Sequence, residues 1–164
     1  MARVLLLKNK LRSLLGQIDV ETESGRAAYR AVSEWRWGSS RWRLFQGERE
    51  LATLQRPWFA WTAFWQVGGA LGSLVIERKQ WSMKRRYTVK GGEYDGTVIS
   101  GNLWDRSFVI DGPSGTLARA SNRIMSLRDQ HQVEILVERA ELLCVVAMVV
   151  IKADRNSEAA AAAD

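Results

Sequence analysis

Cysteine, histidine and proline are nearly missing from this chain: its 164 residues include one cysteine, one histidine and two prolines. One cysteine excludes an internal disulfide, and with a single histidine beside it there is no Cys/His set for a structural zinc. Cys144 sits inside an apolar run, where a thiol behaves as a small core residue and lacks the electropositive, accessible setting of a nucleophile. Long hydrophobic stretches are missing as well. The longest unbroken run is the ten residues Leu142–Ile151, half of the about 20 that an apolar helix needs to cross a bilayer. The opening "MARVLLLKNK" has four apolar residues before Lys8, too few for the hydrophobic region of a secretory signal. These absences predict a cytoplasmic protein without a membrane span.

Catalytic constellations are equally thin. His131 lies near Ser126 and Asp129 in "SLRDQHQVEI", but the stretch has neither a nucleophile turn nor an oxyanion hole. Asp19, Glu21 and Glu23 alternate with Val20 and Thr22, so three carboxylates share one strand face; a calcium site needs carbonyls and a tight loop besides, and a solvated face is the plainer reading. "GGALG" at 68–72 and "GGEYDG" at 91–96 carry neither the lysine and hydroxyl of a phosphate loop nor the spacing of a dinucleotide fingerprint. The sequence predicts a protein that is not an enzyme and carries no metal or cofactor.

What the chain does have is short alternating segments, separated by turn residues about every ten positions, which is a β signature. Twelve candidate strands follow: "RVLLLKNK", "GQIDVETE", "AAYRAVSE", "RWRLFQ", "ELATLQR", "AFWQVG", "SLVIERKQW", "RRYTVKG", "GTVISGN", "RSFVIDG", "LARASNRI" and "QVEILVE". In "RRYTVK", Tyr87 and Val89 take one face while Arg86, Thr88 and Lys90 take the other. A hairpin-like echo joins "LFQGERELATL" at 44–54 to "VIDGPSGTLARA" at 109–120. The apolar run is ambiguous by local propensity, because Val145, Val146, Val149, Val150 and Ile151 are β-branched and suit a doubly buried strand. Its length, and the helix formers Glu138, Ala140 and Glu141 ahead of it, favour a helix. A helix apolar on all sides has to be enclosed, and a closed barrel of more than eight strands leaves a lumen wide enough for its 10–12 Å diameter.

The order and wording of "RWRLFQGERELATLQRPWF", "VISGNLWDRSFVIDGPSGTLARASNRI", "DQHQVEILVE" and "LLCVVAMVVIKADR" resemble the LURP-one-related family of the Tubby C-terminal-like superfamily, which also includes phospholipid scramblases. The resemblance covers roughly residues 3 to 155. It implies a mainly β fold, a closed antiparallel barrel of about twelve strands around a central hydrophobic helix near the carboxyl terminus. Relatives often end the apolar run directly on an aspartate, whereas here Lys152 and Ala153 precede Asp154. The expected organisation is one barrel domain over residues 1–155, a buried helix over about 138–152 and a flexible alanine-rich tail over 156–164.

Formal charge is +6, from 24 Lys and Arg against 18 Asp and Glu, which favours anionic partners. The basic stretch "RKQWSMKRRYTVK" gathers Arg78, Lys79, Lys84, Arg85, Arg86 and Lys90 around Trp81, as a headgroup site on an anionic phospholipid surface would require. The stretch "RPWFAWTAFWQV" adds Trp58 and Trp61 as candidates for the membrane interface, which suits amphipathic rings. Phosphoinositide binding through basic barrel residues, known in Tubby proteins, points the same way by analogy. Arg36, Arg41 and Arg43 interleave with Trp35, Trp37 and Trp42, a pattern that fits stacking within a hairpin or on the bases of single-stranded nucleic acid. The leading expectation is a binding module for anionic phospholipid headgroups at the cytoplasmic membrane face. The alternatives are a protein or nucleic-acid adaptor with no lipid role, nucleic acid being the weaker, and scramblase-like lipid handling.

Enclosing the ten apolar side chains contributes about 15 to 30 kcal/mol gross, before the entropy of ordering the chain is set against it. Val146→Asp is therefore expected to prevent folding by placing an unpaired charge in the plug. Recovery of a soluble variant with a cooperative thermal transition would show that the run is not central.

Overall fold

Alternation builds the wall of this molecule and a break in alternation fills it. The protein is described by a computed structural model covering residues 2–10, 16–36, 39–58, 63–82, 84–102, 107–122 and 130–162, without the side chains of residues 8–10, 35, 36, 102, 122, 130 and 131. The strands are β1 (Arg3–Lys10), β2 (Gln17–Thr22), β3 (Ala27–Arg36), β4 (Ser39–Gln46), β5 (Arg49–Pro57), β6 (Phe64–Gly69), β7 (Leu74–Arg78), β8 (Arg85–Lys90), β9 (Val98–Asn102), β10 (Ser107–Gly112), β11 (Gly115–Asn122) and β12 (Gln130–Ile135). A 3-10 turn at Glu138–Ala140 then leads into helix α1, Glu141–Ala161.

Each strand pairs antiparallel with its neighbours in sequence, and β1 pairs with β12 from Arg3↔Ile135 to Lys8↔Gln130, closing a twelve-strand barrel. Closure leaves no open sheet edge. Every second residue faces in: Ile18 and Val20 on β2, Tyr87 and Val89 on β8, and Phe108 and Ile110 on β10 are buried while their neighbours are not. Inward alanines at 31, 52, 118 and 120 are small enough to leave width for something inside.

That something is α1. Leu143 through Val150 are buried on every side, which is what a run without a polar face requires. The β-branched residues do not make it a strand, for a physical reason. A strand within a closed ring would find no partner for its backbone N–H and C=O groups, whereas a helix satisfies its own. Beyond residue 152, where the sequence predicts an end, the helix continues to Ala161. Residues 156–161 continue the helix, because alanine is the strongest helix former and no glycine or proline interrupts them.

The echo noted in the sequence is a structural repeat. In β4–β5 the pairs are Leu44↔Ala52, Phe45↔Glu50 and Gln46↔Arg49, with a register shift after Leu44. In β10–β11 they are Ile110↔Ala118, Asp111↔Thr116 and Gly112↔Gly115, with the shift after Ile110. The two bulged hairpins stand six strands apart in the ring, on opposite sides.

Because strands alternate in direction, the β1–β2, β3–β4, β5–β6, β7–β8, β9–β10 and β11–β12 connections fall at one end, and the others, with the entrance to α1, at the opposite end. Turns at the entrance are tight and use glycines at positive φ, among them Gly25, Gly47, Gly91 and Gly92. Gly69, at φ 117°, has no alternative: an added Cβ would lie 2.4 Å from the carbonyl oxygen of Leu51.

Cys144 is fully enclosed in α1, and its thiol is pushed up to about 12 by burial, with the charge of Glu141 adding. Alkylation of Cys144 at mildly alkaline pH is expected to be negligible in the native protein and to follow the unfolding transition in denaturant. Prompt labelling under native conditions would mean that the barrel opens around its helix.

Candidate functional site

Two acidic side chains of α1 fasten it to the wall. At the entrance, the carboxylate of Glu141 accepts two hydrogen bonds from Arg3 Nη1, at 2.9 and 3.0 Å, and one from Tyr29 Oη at 2.6 Å. At the opposite end, Asp154 accepts from Arg56 Nη1 and Trp65 Nε1, both at 3.0 Å, and from Tyr87 Oη at 2.7 Å. Asp154 is only 1% exposed, and three donors compensate the loss of water. Burial first, and the adjacent carboxylate second, push both tyrosine hydroxyls above the usual phenol range, so each stays a donor. The aspartate that follows the apolar run two residues late is thus the fastener of the helix at its far end.

About one turn beyond Asp154, Glu158 receives Arg78 Nη1 on one oxygen and Arg85 Nη2 on the other. Burial alone would raise the Glu158 carboxyl, but hydrogen bonds from Arg85 and Arg78 outweigh it and hold the group below its ordinary value. Arg85 also donates to Tyr87 Oη at 3.3 Å and is 7% exposed, and its Nε has no hydrogen-bond partner.

The six basic residues grouped by the sequence therefore do not form one surface. Arg85 has the same strand parity as Tyr87 and Val89 and faces inward with them. Arg78 is committed to Glu158. Lys90, at the entrance end of β8, pairs with Glu77. Lys79, Lys84 and Arg86 remain as exposed cations at the end where α1 leaves, around the β7–β8 connection, whose base is closed by Lys79 N–H donating to the Arg86 carbonyl at 2.9 Å. Trp81, between them, is 92% exposed, and Trp58, at the β5–β6 connection of the same end, is 50% exposed. Trp61 lies outside the described residues.

Other sequence candidates resolve simply. Asp19 accepts a hydrogen bond from Gln17 Nε2 at 2.7 Å, and among the described residues no group of three His, Cys, Asp or Glu side chains is placed to hold a metal ion. His131 falls at the start of β12, its side chain outside the described set. In β3–β4, Arg43 and Arg30 stack on Phe45, at 5.0 and 5.6 Å from its centroid, while Trp37 and the side chains of Trp35 and Arg36 lie outside the described residues. Trp42 cannot take part because it faces the core. Arg43 is further held by Glu34 at 3.1 Å and by Glu50.

A closed twelve-strand antiparallel barrel threaded by one hydrophobic carboxyl-terminal helix has the architecture of the Tubby C-terminal-like class. The LURP-one-related family model matches residues 3–153, and the chain belongs to that family. No curated protein and no solved structure matches it. No described helix is long and apolar enough to cross a membrane.

Asp154→Ala leaves a buried indole N–H, a buried phenol and a guanidinium without their acceptor. It is expected to cost about 3 kcal/mol, with Asp154→Asn costing less because one acceptor oxygen survives. Denaturant midpoints at unchanged slope would measure both; equal stability of Asp154→Ala and the parent would remove the fastening role.

Proposed function

We propose that this protein is a non-enzymatic module that docks on anionic phospholipid at the cytoplasmic face of a membrane, using the barrel end from which α1 emerges. The observation that carries the reading is Trp81, almost wholly in solvent and flanked by the exposed Lys79, Lys84 and Arg86. Tryptophan amid basic residues suits the boundary between headgroups and acyl chains.

Magnitudes set the mode of binding. Each cation near an acidic leaflet contributes about 1 kcal/mol, so the three exposed ones supply about 3 kcal/mol, half of what six would give. That attraction alone corresponds to worse than about millimolar affinity. Insertion of Trp81 has to add to it, and the contact is weak and reversible. The electrostatic part falls with salt, since the screening length is about 8 Å at physiological ionic strength. Scramblase-like handling is disfavoured because α1 fills the lumen that a lipid would occupy.

Co-sedimentation with neutral and anionic vesicles at low and high salt tests the reading. Binding is expected only to anionic vesicles, weakened by salt, lost on changing Lys79, Lys84 and Arg86 together to Ser, and reduced by Trp81→Ser. Absence of binding to both vesicle types returns this surface to a solvated face and leaves a protein or nucleic-acid adaptor in its place.

A further inference from the structure

Beside the point where α1 leaves the barrel, a cavity of about 290 Å³ opens, lined by Ser40, Arg56, Trp58, Trp65, Ala153 and Ser157. Three separate elements of the wall and the helix converge there: Ser40 is second in β4, Arg56 next to last in β5, Trp65 second in β6, and Ala153 and Ser157 lie one turn apart on α1. Among the described residues no carboxylate lines it. Of the two acids adjacent in sequence to its lining, Asp154 is enclosed and already accepts from Arg56, Trp65 and Tyr87, and Glu158 accepts from Arg78 and Arg85.

The donors around this concavity set what it can bind. Arg56 gives Asp154 a single hydrogen bond, from Nη1, while a guanidinium carries five N–H donors in a fixed fork. Its side chain is partly exposed, so the remaining edge is accessible from the cavity side. The Ser40 and Ser157 hydroxyls and the half-exposed Trp58 indole add further donors around the same space. A partly buried arginine with hydroxyls at its flanks and an aromatic wall suits a phosphate ester, which takes paired N–H donors and presents only acceptors.

We propose that this cavity seats the phosphate of a single lipid headgroup while Trp81 and its neighbouring cations hold the barrel end against the bilayer. The inference rests on the membrane reading for the source of the phosphate. Volume limits what enters. Pockets for small molecules run from about 300 to 1,000 Å³, so this one admits a headgroup and not an acyl chain. Because α1 occupies the lumen, the lipid stays in its bilayer and the protein reads it there.

Ser157 gives the cleanest variant, since it lies on the exposed surface of α1 and has no share in the Asp154 cluster. Ser157→Asp places a negative charge in the cavity, and Ser157→Ala serves as the neutral control; unchanged melting of both confirms the fold. The probes are sn-glycerol 3-phosphate against glycerol in calorimetric titration, and phosphatidic acid in phosphatidylcholine vesicles in flotation. In the parent, glycerol 3-phosphate binds saturably and glycerol does not. Ser157→Asp weakens soluble-phosphate and vesicle binding by about tenfold or more. The variant with Lys79, Lys84 and Arg86 changed to Ser loses vesicles but keeps the soluble ligand. Absence of a saturable signal with glycerol 3-phosphate, together with vesicle binding indifferent to Ser157→Asp, overturns the cavity while the membrane reading stands. Saturable binding of glycerol 3-phosphate by a parent that ignores both vesicle types overturns the lipid source instead.

Discussion

An apolar helix has no face to tell it which way round to sit in an apolar container, and α1 meets this problem along its whole enclosed length from Leu143 to Ile151. Hydrophobic burial is non-directional, so it favours the helix inside without choosing its depth or rotation. Hydrogen bonds to charge are directional, and Glu141 and Asp154 carry them at the two ends. They are thirteen positions apart, about 20 Å along the axis and a little over half a turn round it. Arg3 and Tyr29 on one part of the ring, and Arg56, Trp65 and Tyr87 on another, thereby set both rotation and height. Buried charge here defines register, the best attested use of a buried ionic group.

How much of this the sequence discloses depends on how local each signal is. Period-two alternation is local, and all twelve strands were legible from it, as was the need to enclose Leu142–Ile151. The orientation of Arg85 was legible too. The parity that sends Tyr87 and Val89 inward sends Arg85 with them, but the density of basic residues suggested one solvated patch. The fastening of Asp154 was not legible, because its donors lie 67, 89 and 98 residues away. No short spacing connects an aspartate after an apolar run to an indole, a phenol and a guanidinium on three different strands. The cavity beside Arg56 is hidden for the same reason, being assembled from β4, β5, β6 and the end of α1.

The two ends of the barrel differ in their connections and exposed side chains. Around the helix entrance the connections are short glycine turns, and the nearby arginine Arg3 is committed to Glu141. At the opposite end exposed indoles, unneutralised cations and a donor-lined concavity surround the emerging helix. Glu158 ties the last turns of that helix to β7 and β8 through Arg78 and Arg85, so part of the basic charge is spent on holding the helix and only part faces outward.

Ring closure by β1 and β12 also orders events in time. Arg3 pairs with Ile135, so during synthesis the first strand waits for β12 before its seam can form, and the plug arrives later still. Until then the meander is an open sheet with two unpaired edges and an apolar inner face. Closure over so large a loop is slow, since its entropy is spent before any contact repays it. The helix that fills the finished barrel is made after all twelve strands, and until then the inner face of the sheet has nothing to cover it.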